Sequence, residues 1–195
     1  MLGSLPKQKH IPQRSSFDLR DIRYVLSNRT ILLFGLVDAL CFAHYLALSS
    51  WLPTFYNQVR GISLAEGGFA TSQIHLLGIF GVIFGGFIMA KIHPRRRIFM
   101  FSGLTVGLMG LGTFLVDNIL INYVSIMVVG FSSWIYAPYL LTLPMELPGM
   151  NPNRLAIAWA LIISMEIGGL SISPVVVGAM ADQFGTFIPG FLLFN

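Results

Sequence analysis

TILLFGLVDALCFAHYLALSSWL, residues Thr30–Leu52, decides the architecture. The stretch holds one acid, Asp38, one histidine, His44, and no Lys, Arg or Glu, and Pro53 follows it. A helix that crosses the ~30 Å hydrocarbon core of a bilayer needs about 20 such residues. It also pairs its backbone N–H and C=O groups within the segment, as lipid demands. The stretch is therefore expected to span a membrane as 30–52, stopping at the proline. Four more stretches meet the same requirement, at 68–92, 98–116, 119–143 and 155–181. A further apolar segment, 186–195, would rise only about 15 Å as a helix, too little to cross. The expected fold is all-α, a polytopic membrane bundle of five complete transmembrane helices and a truncated sixth, preceded by a linker over residues 1–29.

Composition agrees with that solvent. The chain is 55% hydrophobic and 10% charged, with a mean hydropathy of +0.75. Soluble domains carry about 25% charged residues, because water must wet their surface. A net charge of +4 and a pI near 9.5 do not point to nucleic acid, since the basic residues gather at the ends of apolar runs. Eleven of the twelve fall on one side of the expected spans, before 30–52, between 68–92 and 98–116, and at Arg154; Arg60 alone falls on the other. The positive-inside rule assigns the richer side to the cytoplasm. A multi-pass protein of the cell membrane with a cytoplasmic amino terminus is expected. Residues 16–26 (SFDLRDIRYVL) have apolar positions near helical spacing, which predicts a short lead-in helix on the cytoplasmic lipid face, N-capped by Ser16. Cys41 is the sole cysteine, so no internal disulfide forms.

Two loops resemble those of a known family. Gly85–Arg97 reads GGFIMAKIHPRRR, a worn copy of the G-x-x-x-D-[RK]-x-G-R-[RK] loop of the major facilitator superfamily, with Ala90 in place of the acid and His93 in place of the glycine. Glu146-Leu147-Pro148 with Asn153-Arg154 is similar to the family's loop between helices ten and eleven. Pro174, Gly178, Asp182 and Gly185 are similar to the end of helix eleven. Within the family, ELPGMNPNR resembles a cyanate-permease-like branch. The resemblance implies the carboxy-terminal six-helix half of a twelve-helix secondary transporter, with 30–52 as helix seven. It also implies inverted three-helix repeats around a central solute path. A small solute, the lipid bilayer and an amino-terminal half would then be the partners.

Ionisable groups in hydrocarbon are costly and should face protein or a watery path. Asp38 and Glu166 meet that description. Asp38, Phe42, Tyr45 and Ser49 share one helical face, and Trp134, Tyr136 and Tyr139 surround Pro138, which can kink its helix. Asp38, Tyr45, Trp134, Tyr139 and Glu166 are accordingly candidates for solute binding or proton coupling. For the acids, a hydrogen-bonded role in helix packing is the open alternative. An acid with aromatics would suit a cationic solute, while the resemblance also admits anions and sugars. Lys91, Arg95 and Arg96 are candidate gating-loop residues, or else mark topology. His44 and His75 are expected to be structural, Trp51 an interface anchor, and the stripes Gly78, Gly81, Gly85 and Gly103, Gly107, Gly110 packing seams.

Other classes are disfavoured by what such chemistry requires. There is no G-x-x-x-x-G-K-[ST] loop for a nucleotide, no H-E-x-x-H and no G-x-S-x-G. No metal, cofactor or enzymatic activity is expected. A six-span channel or scaffold acting as an oligomer remains the alternative to a transporter.

Overall fold

The computed structural model describes residues 18–91 and 96–195. Among these the chain forms helices and no strand: α1 (Leu19–Ser27), α2 (Arg29–Arg60), α3 (Leu64–Lys91), α4 (Arg96–Phe114), α5 (Ile119–Trp134), α6 (Ala137–Glu146), α7 (Pro152–Phe184) and α8 (Ile188–Phe194). Five helical units are long and apolar enough to cross a membrane: α2, α3, α4, α5 with α6, and α7. The protein is a multi-pass membrane helical bundle. α2 packs against α7 and α3, and α5 packs against both α3 and α4.

α3 shows why this sequence belongs in lipid. Its large residues Phe80, Ile83, Phe84 and Phe87 are exposed, while Gly78, Gly81 and Gly85 are buried. Lipid tails are as apolar as these side chains, so exposing them costs nothing, and small residues let backbones come close. A Cβ at Gly81 would strike the carbonyl oxygen of Phe131, one at Gly85 that of Ile135, and one at Gly130 that of Ile74. The α3–α5 contact is thus backbone to backbone on both sides. The second glycine stripe is not such a seam. Nothing lies within 4 Å of a Cβ at Gly103, and at Gly107 only Asn195 O comes near, at 3.9 Å; Gly110 alone is closed in, by Asn195 and His44.

Pro53 does not end α2, which runs on to Gly61 in the left-handed region at φ 66°. Proline removes one N–H but is tolerated in membrane helices that neighbours support. Here the support is α3, where Gly67 lies close enough that a Cβ would come 3.2 Å from the Pro53 backbone. The expected single helix over 119–143 is instead interrupted at Ile135–Tyr136. Pro138, in the first turn of α6, has no N–H to offer the carbonyl of Trp134. The ends of the other helices also differ from expectation, α3 starting at Leu64 and α7 running from Pro152 to Phe184.

The lead-in helix starts later than expected, with Asp18 as N-cap accepting from the Arg20 N–H at 2.9 Å; Ser16 and Phe17 lie outside the described residues. α1 does not simply rest on lipid. Asp21 and Val25 are buried, and Asp21 pairs with the Arg154 Nε at 2.7 Å. The Arg154 guanidinium lies 4.1 Å from the centre of the Tyr24 ring, and Tyr24 Oη donates to the Pro148 carbonyl at 2.7 Å. This clasp fastens α1 to the α6–α7 loop.

At the other end, Arg60 closes the bundle in a way its isolation in the sequence did not foretell. It donates to the Phe114 and Val116 carbonyls, at 3.2 and 2.6 Å, and to the Asn122 side chain. Its guanidinium lies over Tyr56, 5.0 Å from the ring centre. Trp51 is likewise held by packing: its Nε1 donates to the Pro174 carbonyl at 2.8 Å and its ring meets Phe187.

Candidate functional site

The interruption between α5 and α6 opens beside α2 and α7, and a cavity of about 410 Å³ lies there. Helical spacing explains its walls. α2 contributes Asp38 and Phe42, four residues apart, and α7 contributes Trp159, Ile163 and Glu166 at i, i+4 and i+7. Trp134 and Tyr136 enter from the break itself. The two acids lie along a tight crossing of α2 and α7. A Cβ at Gly169 would strike the Ala39 carbonyl, and one at Gly35 would lie 2.8 Å from Met165 Sδ. Asp38 and Glu166 line the same cavity from the two sides of that crossing.

Asp38 is 1% exposed, and neither of its carboxyl oxygens meets a hydrogen-bond partner among the described residues. Leaving a buried carboxyl unpaired costs several kcal/mol unless it is neutral or meets a positive group. None of the described side chains lining the cavity is Lys, Arg or His. The Ser133 Oγ, which also lines the cavity, is buried and unpartnered too.

Aromatic packing holds Trp134 in place. Its ring meets Phe42 edge-on at 5.4 Å and Tyr45 at 5.8 Å. The bare face of Gly78 makes room, since a Cβ there would lie 2.6 Å from Trp134 Cδ1. Tyr45 therefore supports the cavity from behind, with His75 5.2 Å beyond it, and does not line the cavity. Ser49, fourth in the expected stripe, turns back to the Leu46 carbonyl at 3.4 Å. Tyr139 lies elsewhere, against Phe34 and Phe99 with ring centres 6.2 and 5.2 Å away. His44 is buried, with Nδ1 3.2 Å from the Phe194 carbonyl oxygen.

The structure thus brings Asp38, Trp134 and Glu166 together, keeps Tyr45 one layer back and sets Tyr139 apart. Among the gating-loop candidates, Lys91 is exposed at the end of α3 and Arg96 opens α4, while Arg95 lies outside the described residues. Trp159 and Ser133 line the cavity without having been singled out. Trp159 could have been found from its place seven residues before Glu166, two turns along one face.

A family model described as Major Facilitator Superfamily matches residues 3–174. The chain belongs to the major facilitator superfamily. Two curated relatives, both from Bacillus subtilis (strain 168), carry transporter names. One, an uncharacterized transporter, YybO, is 26% identical over 75% of this chain and 35% of its own length. The other, a glycerol-3-phosphate transporter, is 21% identical over 92% of this chain and 41% of its own length. The chain spans about two fifths or less of the curated relatives it matches. Membership in a transporter superfamily agrees with the helical bundle and with the apolar outer surface.

Proposed function

We propose that this chain moves a small solute across the cell membrane as the carboxy-terminal half of a superfamily secondary transporter. The cavity forms one wall of the solute path, and a second six-helix half completes it. The observation that carries this reading is Asp38, a buried acid without a hydrogen-bond partner among the described residues, beside a ligand-sized cavity at a helix break. Ligand sites typically occupy about 300–1,000 Å³, and broken helices at midplane are a recurring way to build them in transporters. The share of each relative that the chain covers supports the half-transporter arrangement. Access would alternate as one half rocks against the other, with the basic loops and α1 on the cytoplasmic side.

The test is uptake into liposomes holding this chain with and without an amino-terminal six-helix half of the superfamily. The solutes would be radiolabelled sugars, amines and anions, with glycerol 3-phosphate included because one relative bears that name. Saturable, gradient-driven uptake that requires both halves is expected. Unsaturable flux through the chain alone would instead establish the oligomeric channel.

A further inference from the structure

We propose that the cavity binds an organic cation, a monovalent ammonium carrying an aromatic or apolar body; this rests on the transport reading above and names its solute class. Four observations meet at one place. Both oxygens of Asp38 are buried and without a hydrogen-bond partner among the described residues. Glu166 adds a second carboxyl, and none of the described lining side chains is basic. The remaining wall is apolar and aromatic, with Phe42, Trp134 and Trp159. The volume of about 410 Å³ accommodates a ring as well as an ammonium group.

The chemistry separates this ligand from its rivals. Mg²⁺ and Ca²⁺ require six or more oxygen ligands or retained waters, and the side chains of this wall offer two carboxyls and the Ser133 and Tyr136 hydroxyls amid carbon. An organophosphate would bring negative charge to two carboxyls and find no base among the described side chains of this wall. An ammonium satisfies Asp38 by a charge-assisted contact and gains from the aromatic faces, which attract weakly hydrated cations most strongly. Trp134 is fixed for that role by its edge contacts with Phe42 and Tyr45.

The experiment is equilibrium binding of radiolabelled benzyltrimethylammonium to the full chain in lipid nanodiscs, with phenylacetate as the ligand of like ring and opposite charge. Saturable binding is expected, with affinity reduced at least about tenfold by Asp38→Asn and several-fold by Trp134→Leu, and no competition from phenylacetate. Helicity by circular dichroism checks that each variant folds. If Asp38→Asn loses helicity, Trp134→Leu and Glu166→Gln carry the test. Unchanged affinity in the folded variants overturns the proposal. Phenylacetate binding in place of the cation overturns the charge class but leaves the solute path standing, provided Trp159→Ala weakens it. Binding of neither ligand, alongside saturable uptake of another solute by the two halves, overturns the cation and retains the transporter. Binding of neither with no saturable uptake overturns both.

Discussion

Replacing Gly81 with alanine drives a methyl group into the backbone carbonyl of Phe131, whereas the same change at Gly86 places it in open space. The two positions share a helix and lie five residues apart, so the pair isolates packing from propensity. Each substitution gains up to ~1 kcal/mol in intrinsic helix preference, and this cancels in the comparison. What remains is the overpacking cost at Gly81, where a Cβ would also lie 3.3 Å from the Trp134 Cβ. A backbone carbonyl cannot swing aside as a side chain can, so α3 and α5 must separate. Gly85 against Ile135 and Gly130 against Ile74 share the same approach, and a gap of ~0.5–1 Å forfeits a quarter to a half of each dispersion contact. Overpacking of this kind costs about 1–3 kcal/mol. Gly81→Ala should therefore be about 1–3 kcal/mol less stable than Gly86→Ala, roughly a 5- to 150-fold difference in the unfolding equilibrium. Titration with sodium dodecyl sulfate in mixed micelles, followed by helicity, measures it. Equal midpoints and slopes for the two variants would refute the backbone-to-backbone seam.

Other perturbations report on other parts of the bundle. Arg60→Gln removes charged donors from the Phe114 and Val116 carbonyls and should cost about 2 kcal/mol in the same titration, with the loss largest at low salt. Trp51→Phe keeps the ring against Phe187 but deletes the bond to the Pro174 carbonyl; a loss of about 1 kcal/mol is expected. Asp21→Asn weakens the clasp to Arg154, so amide exchange should accelerate in Leu19–Ser27 while α2 and α7 keep their protection. Trp159→Ala should lower solute affinity several-fold with little change in helicity, since the ring lines the cavity. No change in affinity there would argue that the solute lies elsewhere.

The spans were legible because hydrophobic length is a local property that lipid enforces on each segment separately. The break at Ile135–Tyr136 was legible in part, since Pro138 marks a missing donor; its register, placing Trp134 and Tyr136 at the cavity, was not. Pro53 gave the opposite error. Whether a proline ends or merely interrupts a helix depends on what packs against it, and Gly67, which does so here, lies on the next helix, 15 residues beyond the expected end at Leu52.

Sequence alone determined that this chain is a membrane bundle with two costly acids inside it, because burial of charge and length of apolar runs follow from composition along one helix at a time. It also carried the resemblance to the family, through short motifs at helix ends and the turns that join them. Only the tertiary structure decided that Asp38, Glu166 and Trp134 share a cavity while Tyr45 stands behind it and Tyr139 does not reach it. Only the fold, too, joined Asp21 to Arg154 and Arg60 to Asn122. The reason is geometric: a helix states which residues share its own face, but the rotation of that face toward a neighbour is set by where glycines let two backbones touch. Gly35 and Gly169 set it for α2 and α7, and Gly81, Gly85 and Gly130 for α3 and α5.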